Sequence, residues 1–314
     1  MNEDCQSVGV HYHSCYERHD TGPGHPESAA RYQALEAALE TLPASVARVG
    51  GRKASVAEIL LAHEHYYHDL VYRSAETFAD KLPTGDTAIC EESYEVALEA
   101  AGAVLAATDA VMRGDLQSVF CAVRPPGHHA TATRGMGFCI FNHVAIAARY
   151  LQSRHGLMKV AIIDWDVHHG NGTEAIFIED PSVLYISLHE ANMYPYTGLA
   201  SEQGQGAGQG FNLNIPLPHH SEGSLALEEW ENQIAPAIDD FKPDFILISA
   251  GFDARVDDPI GGLRWTDDTF AAMTRRARSL AARWCHGRLV SVLEGGYNPG
   301  GLASAALAHV RALG

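Results

Sequence analysis

Short runs of apolar residues alternate along the chain with longer segments in which apolar positions recur every three or four residues. The short runs have the length of buried strands, and the longer segments have the period of amphipathic helices. This alternation predicts an α/β fold with a mainly parallel sheet. The predicted strands are 118–123, 158–163, 183–187, 244–250 and 289–293, and the predicted helices are 26–41, 92–113, 142–155, 223–239, 267–285 and 301–312.

A cluster of polar residues follows each of the five predicted strands. Ligands of open α/β sheets bind at the carboxyl ends of the strands, so these clusters are expected to form one site. In chain order the clusters run from Arg124 to His129, from Asp164 to Asn171, over Leu188 and His189, from Gly251 to Asp253, and from Glu294 to Tyr297.

The composition is that of a globular protein. Hydrophobic residues make up 46% of the 314 residues, and charged residues make up 19%, which argues against a disordered or fibrous chain. The formal net charge of −17 gives a surface that repels phosphate backbones, so no nucleic-acid partner is expected. No internal repeat and no linker-like segment divides the chain.

The start of the chain and its cysteines predict a cytoplasmic location. Met1–Asp4 is acidic and is not followed by an apolar segment, so no signal peptide is expected. No apolar stretch is long enough to cross a membrane, so no membrane partner is expected. The six cysteines form no CxxC pair and are expected to be reduced thiols: Cys5, Cys15, Cys90, Cys121, Cys139 and Cys285.

Asp164, Asp166 and His168 alternate along the chain, and in an extended backbone alternate side chains point to one face. Asp253 would add an oxygen ligand from another strand end. Two carboxylates and one imidazole suit a divalent ion that keeps a coordination position open. The alternative is a hydrogen-bonded network that only caps the strand ends.

Two histidines, His128 and His129, follow a Pro-Pro-Gly turn and are candidates for the base that deprotonates water. Two anionic ligands leave a divalent ion a weak Lewis acid, so a base is needed. Asp164 and Asn171 are available to orient the imidazoles. A carboxylate partner would keep its histidine charged, whereas an amide partner would leave its histidine nearer an ordinary pKa, as a general base needs. Tyr297, after two glycines, is a donor suited to a developing oxyanion.

Six segments together resemble the signature segments of the histone deacetylase superfamily, which also includes acetylpolyamine amidohydrolases and acetoin-utilisation proteins. The resemblance extends from about residue 8 to residue 314. HDTGPGHPE (19–27) and Asn171 resemble the class II-like branch, which includes bacterial histone deacetylase-like amidohydrolases. The six segments are RPPGHHA (124–130), GMGFCIFN (135–142), DWDVHHGNG (164–172), SLH (187–189), AGFDA (250–254) and EGGY (294–297).

The resemblance implies the arginase–deacetylase fold, a single domain over residues 1–314 with a central, mostly parallel eight-stranded sheet flanked by helices. It also implies one zinc ion per chain. The implied zinc ligands are Asp166, His168 and Asp253. The implied catalytic residues are His129 as general base and acid, with Asn171 as its partner, His128 paired with Asp164, and Tyr297, which polarises the substrate carbonyl.

The resemblance also assigns roles to four further residues and implies a site for a monovalent cation. Gly137 and Phe138 line the acyl-lysine tunnel of relatives, Asp86 is a candidate for binding the substrate backbone, and Ile260 occupies a position at the tunnel mouth where acetylpolyamine enzymes carry Glu. A structural potassium or sodium ion is expected at the carbonyls of Asp164, Asp166, His168 and Leu188, together with Ser187.

These implications predict an amidohydrolase that removes acetyl or longer acyl groups from lysine side chains in proteins or peptides. Acetylpolyamines are the alternative substrates, and a homo-oligomer is left open. A binuclear manganese ureohydrolase shares the fold but needs more Asp and His ligands than DxDxH and Asp253 supply. A catalytically silent acyl-lysine-binding scaffold would lack the tyrosine or a histidine.

Other conspicuous residues are expected to have no catalytic role. His63, His65 and His68 are predicted to lie on a solvated helix, because their spacing does not place three rings on one helical face. His219 and His220 are predicted to lie in a loop. The glycine-rich segment 201–210 lacks the GK[ST] of a phosphate-binding loop, and Cys139 is expected to pack rather than react.

Overall fold

The computed structural model describes residues 8–314, which form one eight-stranded sheet with helices packed against it. The strand order is β2-β1-β3-β8-β7-β4-β5-β6, and every neighbouring pair is parallel. The strands are β1 Val8–His11, β2 Ala47–Arg48, β3 Ser118–Cys121, β4 Val160–Asp164, β5 Val183–Glu190, β6 Asn212–Leu217, β7 Phe245–Ala250 and β8 Leu289–Leu293.

The helices fall into two packed groups that both contact the sheet, α1 with α9 and α10, and α4 with α5. The helices are α1 Ala29–Leu39, α2 Val56–Ile59, α3 His65–Glu76, α4 Ser93–Arg113, α5 His143–His155, α6 Asn171–Phe177, α7 Gly223–Glu229, α8 Ala235–Phe241, α9 Asp267–Trp284 and α10 Pro299–Leu313. A π-helical segment, Trp230–Ile234, joins α7 to α8, and short 3₁₀ turns occur at Ser14–Arg18 and Gly206–Gly208.

The apolar runs form the strands at the centre of the sheet. Every residue of β3, β4, β7 and β8 is buried, as parallel strands covered on both faces must be. Such strands have no polar alternation, which is why their sequences are continuous apolar runs. The predicted α/β fold is confirmed, and the sheet is wholly parallel where a mostly parallel one was expected.

The parallel arrangement brings the ends of five strands to one edge of the sheet. In the register of the sheet, Asp164 at the end of β4 lies between Ser187 of β5 and Ser249 of β7. The ends of β3 and β8 continue the same edge, because β8 lies between β3 and β7. All five polar clusters are therefore neighbours in space.

The three histidines near α3 do not all lie where the sequence predicts. The expectation of a solvated helix for the three histidines near α3 is wrong for two of them, since His63 and His68 are only 4% and 6% exposed. His63 Nε2 accepts the Asn142 N–H at 2.9 Å, and His68 Nε2 lies 2.8 Å from the Tyr94 hydroxyl. Both rings also pack near Phe141. They are core residues.

The five cysteines among the described residues are free, and Cys139 is buried, as expected. Cys5 and the acidic start, Met1–Asp4, lie outside the described residues. His219 and His220 lie in a turn, as predicted. Among residues 8–314, no helix combines the length and the apolar character that crossing a membrane requires.

Candidate active site

Three side chains from two strand ends form a buried cluster with the geometry of a metal site. Asp166 and His168 follow β4, and Asp253 follows β7. His168 Nδ1 lies 3.0 Å from Asp166 Oδ1 and 3.2 Å from Asp253 Oδ2. One potential ligand atom from each residue lies within 4.8 Å of the others. Asp166 and His168, which alternate in the sequence, therefore do lie next to Asp253 in the structure.

This cluster fits a divalent cation. Asp253 Oδ2 is buried without a hydrogen-bond partner, and an unsatisfied buried carboxylate oxygen is costly unless a cation pairs with it. Glycines keep the space around the carboxylates open: a Cβ at Gly251 would lie 2.2 Å from Asp166 Oδ2, and one at Gly295 would lie 2.0 Å from Asp253 Oδ2. Two carboxylates and one imidazole form a donor set that zinc accepts.

The electrostatics of the cluster also favour a cation. Burial and the neighbouring charge of Asp166 raise the pKa of Asp253 to about 7. Burial lowers the pKa of His168, but the hydrogen bond with Asp166 and the nearby carboxylate of Asp253 outweigh it and raise this pKa to about 10. The two carboxylates therefore attract a positive charge, and a metal ion must compete with a proton for His168.

His128 lies on the turn after β3 and is paired with a carboxylate. Its Nδ1 lies 3.0 Å from Asp164 Oδ2, which also accepts the Tyr185 hydroxyl at 3.1 Å. Burial lowers the pKa of His128, but the charges of Asp164 and Asp166 outweigh burial and raise it well above its ordinary value. His128 is therefore the charged member of the histidine pair.

His129 has the opposite environment. Its Nδ1 lies 2.8 Å from the Oδ1 of Asn171, the first residue of α6. The Asn171 amide nitrogen is directed at the Met136 sulfur at 3.5 Å, so the amide oxygen faces His129 and accepts its Nδ1–H. The amide partner alone predicts a pKa near the ordinary value for His129, but burial and then the nearby charge of His128 lower this pKa well below that value. His129 is neutral, with its lone pair on Nε2.

Tyr297 is held at the site by the turn that follows β8. Its side chain is buried, its N–H donates to Asp258 Oδ2 at 2.6 Å, and the Gly295 N–H donates to Asp166 Oδ2 at 2.8 Å. Gly296 has φ +123°, a conformation that favours glycine. Burial and then the charge of Asp253 raise the pKa of the Tyr297 hydroxyl well above its ordinary value, so the hydroxyl stays a proton donor.

Gly137 and Phe138 form a wall beside the histidines and the tyrosine. The Phe138 ring packs edge-on against Tyr297 at 6.0 Å and against His25 at 4.7 Å. Gly137 has φ +56°, and its N–H donates to Asp86 Oδ1 at 2.7 Å. Asp86, which we expected to bind substrate, thus holds the backbone of this wall with one of its oxygens.

Ile260 lies at the edge of the site in a turn organised by Asp258. The Ile260 N–H donates to Asp258 Oδ1 at 2.9 Å, while the other oxygen of Asp258 holds the Tyr297 N–H. The Ile260 side chain is half-buried. Asp258 thus links the turn that carries Ile260 to the turn that carries Tyr297.

The backbone segments expected to hold a monovalent cation are adjacent in the structure. Asp164 and Ser187 are partners in the pairing of β4 with β5, and the Ser187 hydroxyl lies 2.8 Å from His189 Nδ1. A potassium or sodium ion at Asp164, Asp166, His168, Ser187 and Leu188 stays a prediction.

Glu294 has a structural role that the sequence analysis did not assign. Its Oε2 accepts the N–H groups of Gly127 at 2.7 Å and His128 at 3.1 Å, and its Oε1 accepts the Ser249 hydroxyl at 3.0 Å. Glu294 thereby fixes the turn that presents the two histidines. The sequence did carry a signal for this residue, because Glu294 opens the EGGY segment.

Glu294, His128 and Cys139 are also close enough to share a cation. Burial raises the pKa of the Cys139 thiol well above its ordinary value, so the thiol stays protonated and is a poor metal ligand.

Tyr194, in the loop after β5, is a second residue that the sequence analysis missed. Its ring centroid lies 5.2 Å from that of His129 and 6.3 Å from that of His168. Tyr194 therefore packs beside His129, the candidate base. Its only sequence signal was its place after the SLH segment at a strand end.

Comparisons with known proteins agree with this geometry. A family model described as the histone deacetylase domain matches residues 25–313. The crystal structure of the HDA15 HD domain superposes with a TM-score of 0.91 at 34% identity, covering 98% of this chain and 89% of that chain. The observed sheet thus matches the arginase–deacetylase fold.

Sequence relatives carry related names. Chloroplastic histone deacetylase 10 of Oryza sativa subsp. japonica is 40% identical, with 92% of this chain and 69% of that protein covered. The histone deacetylase-like amidohydrolase of Pseudomonas aeruginosa is 38% identical, with 88% and 73% covered. A probable deacetylase of Archaeoglobus fulgidus is also 38% identical, with 93% and 81% covered.

Proposed function

The chain belongs to the histone deacetylase family, and from this premise we propose that it is a zinc-dependent deacylase of lysine side chains in proteins or peptides. Membership of the family makes it an amidohydrolase of the deacetylase type. One observation supports the finer proposal above all others. The triad Asp166, His168 and Asp253 lies beside one charged and one neutral histidine, an arrangement that suits metal-assisted hydrolysis of an amide.

Asp166, His168 and Asp253 would hold the zinc ion. When bound, zinc supplies a Lewis acid that polarises the substrate carbonyl and makes water more acidic. The two carboxylates partly neutralise the ion, so the remaining work of proton transfer falls to side chains of the protein.

His129 is the proposed general base. The Asn171 amide oxygen holds the Nδ1–H at 2.8 Å, which directs the Nε2 lone pair away from α6. The lowered pKa leaves the imidazole neutral, so its Nε2 lone pair is free to accept a proton from water as the water attacks the carbonyl carbon. Since Asn171 is an amide, it orients the ring without attracting the proton as a carboxylate would.

His128 is the proposed electrostatic partner. Paired with Asp164 at 3.0 Å, it stays charged and does not need to exchange protons during the reaction. Its ring centroid lies 4.0 Å from that of His129. The fixed positive charge of His128 beside the site would stabilise negative charge that develops on the substrate oxygen.

Tyr297 is the proposed donor to the substrate carbonyl oxygen. Its raised pKa keeps the hydroxyl protonated, and the contacts of Asp258 and Phe138 hold the residue in place. The hydrogen bond strengthens as the carbonyl oxygen gains charge, which stabilises the transition state more than the substrate. Protonated His129 then donates its proton to the nitrogen of the leaving amine, and the C–N bond breaks.

Ile260 at the edge of the site supports acyl-lysine over acetylpolyamine substrates. The half-buried Ile260 side chain gives a distant ammonium group no partner, at a cost of about 1–3 kcal/mol. The net charge of −17 attracts polycations at long range, but that attraction is screened over about 8 Å at physiological salt. An apolar side chain at this position is compatible with the neutral backbone on either side of an acyl-lysine.

A panel assay with metal analysis tests the proposal. Acyl-lysine peptides with acyl groups of different length and acetylpolyamines are offered to the purified protein, whose zinc, iron and manganese contents are measured. We expect release of carboxylate from the peptides and about one zinc per chain. Two manganese ions per chain and hydrolysis of a guanidino substrate would instead support a ureohydrolase. Tight acyl-lysine binding without turnover would support a silent scaffold.

A further inference from the structure

Glu27 is a fully buried carboxylate outside the catalytic residues, and it is bonded to two buried arginines. Arg124 donates to it through Nε and, at 2.8 Å, through Nη2, while Arg31 Nη1 donates to it at 3.0 Å. All three side chains are at most 1% exposed. Burial raises the pKa of Glu27, but Arg124 foremost reverses this and holds it at about 2. Glu27 therefore carries a negative charge between the two guanidinium groups.

Arg124 connects Glu27 to the histidine turn. It directly precedes the Pro-Pro-Gly-His-His sequence, and its Nη1 donates to the Tyr16 carbonyl at 2.7 Å. The planar guanidinium of Arg124 donates to Glu27 and, through a different nitrogen, to Tyr16, so its orientation is fixed. The start of the turn that carries His128 and His129 is thereby fixed relative to Glu27.

Arg31, in α1, connects the same carboxylate to the tyrosine turn. Its Nη2 donates to the Glu294 carbonyl at 2.7 Å, and its Nε donates to the Gly296 carbonyl at 2.7 Å. Its guanidinium carbon lies 5.3 Å from the centroid of the Tyr297 ring. One arginine thus holds the two carbonyls on either side of Gly295 and also contacts the catalytic side chain.

We propose that Glu27 is a positioning residue that sets the histidine turn and the tyrosine turn relative to each other, through Arg124 and Arg31 respectively. The proposal rests on the proposed function, because it assigns His129 and Tyr297 their roles. The two turns come from β3 and β8 and carry opposite parts of the reaction, the base and the carbonyl donor. A displacement of about 1 Å between such groups costs on the order of 100-fold in rate.

Two variants test the contacts of Arg31 and the charge of Glu27 separately. Arg31→Lys keeps the positive charge beside Glu27, but a single ammonium cannot reproduce the three directed donors of the guanidinium. It is expected to lower kcat by roughly 10-fold or more, with KM changed by less than about 3-fold. Glu27→Gln keeps the shape of the side chain and removes its charge, so it is expected to lower kcat further.

A double-mutant cycle with Tyr297→Phe distinguishes positioning from general destabilisation. If Arg31 acts through the Tyr297 hydroxyl, Arg31→Lys should change the residual kcat of the Tyr297→Phe protein by less than about 2-fold, because interacting residues are not additive. Glu27→Gln should keep part of its effect in that background, through Arg124. Full additivity of Arg31→Lys and Tyr297→Phe would overturn the proposal.

Controls keep the test interpretable. Arg149→Lys weakens a partly exposed pairing with Asp180 outside this triplet and is expected to leave kcat unchanged within about 2-fold. Amide hydrogen exchange of Arg31→Lys should rise in residues 294–298 but not in β4, whereas a uniform rise would contradict the proposal.

If Arg31→Lys does not fold, Glu27→Asp replaces it in the same double-mutant cycle. An inactive wild-type protein would refute the proposed function, whereas an active protein with an additive cycle would refute only this inference.

Discussion

Replacement of Gly137 by alanine should abolish most of the activity through one steric contact. A Cβ at Gly137 would lie 2.3 Å from Cδ2 and 2.7 Å from Cγ of His129. Ordinary contacts begin near 3.4 Å, so the imidazole and the wall must separate by about 1 Å. Because a 1 Å misplacement of a catalytic group costs on the order of 100-fold, Gly137→Ala should lower kcat by about that factor.

The change also introduces backbone strain, and a matched control isolates it. Gly137 has φ +56°, where an L-residue costs about 1–2 kcal/mol. Gly206 has φ +52°, but its added Cβ would meet nothing within 4 Å. Gly206→Ala therefore carries the same strain without the contact. It should lower the melting temperature by a few degrees, as about 1–2 kcal/mol does in a chain of this size, and should leave kcat unchanged.

The assay is kcat on an acetyl-lysine peptide, with melting temperature and zinc content measured for both variants. The two proteins should retain zinc and remain folded, and only Gly137→Ala should lose activity. Wild-type kcat in Gly137→Ala would refute the assignment of His129 as the base. An equal loss in Gly206→Ala would show that strain, rather than displacement of His129, explains the effect.

Three further predictions follow from the site. Tyr297→Phe should lower kcat by roughly 10²–10³, as loss of an oxyanion donor does, while zinc is retained; near-wild-type turnover would remove Tyr297 from the mechanism. Asp253→Ala should release the metal, because it removes one of three ligands and leaves an incomplete site; a full complement of zinc in the purified variant would contradict the ligand set. The kcat/KM for acyl-lysine peptides should exceed that for acetylspermidine by at least about 10-fold, or about 1.4 kcal/mol, and Ile260→Glu should narrow the difference; a wild-type preference for acetylspermidine would refute the argument from the apolar Ile260 side chain.

The centre of the sheet was predictable because burial on both faces leaves a strong sequence signal. The five predicted strands are β3, β4, β5, β7 and β8, and each is buried throughout. Their order in the sheet was not predictable, because an apolar run does not specify its neighbours. The polar clusters at their ends nevertheless indicated one site.

The strands towards the two ends of the sheet were missed for physical reasons. β2 has only two residues, both exposed, and β1 has four residues that include a glycine. β6 carries Asn212 and Asn214 in place of apolar residues, since their side-chain amides donate to Glu174 at 2.8 and 2.7 Å. Such strands depend on their neighbours for burial and give little local signal.

Within the site, the sequence indicated which residues converge but not how they are supported. The pairing of His128 with Asp164 and of His129 with Asn171 was expected, and both contacts are present in the structure. Long-range contacts such as that of Arg31 with Gly296, 265 residues apart in the chain, leave no local pattern. Histidine spacing alone was also misleading for His63 and His68, because the periodicity of a short helix does not report the core that covers it.

A zinc titration of the metal-free protein tests the central proposal most directly. The protein is stripped with a chelator, and acetate and free lysine peptide are then measured from an acetyl-lysine peptide as zinc is added back. The account predicts no turnover without metal, activity that rises until about one zinc per chain is bound, and acetate and deacetylated peptide in equal amounts. Full turnover by the metal-free protein, or no acetate release at any zinc content, would contradict it.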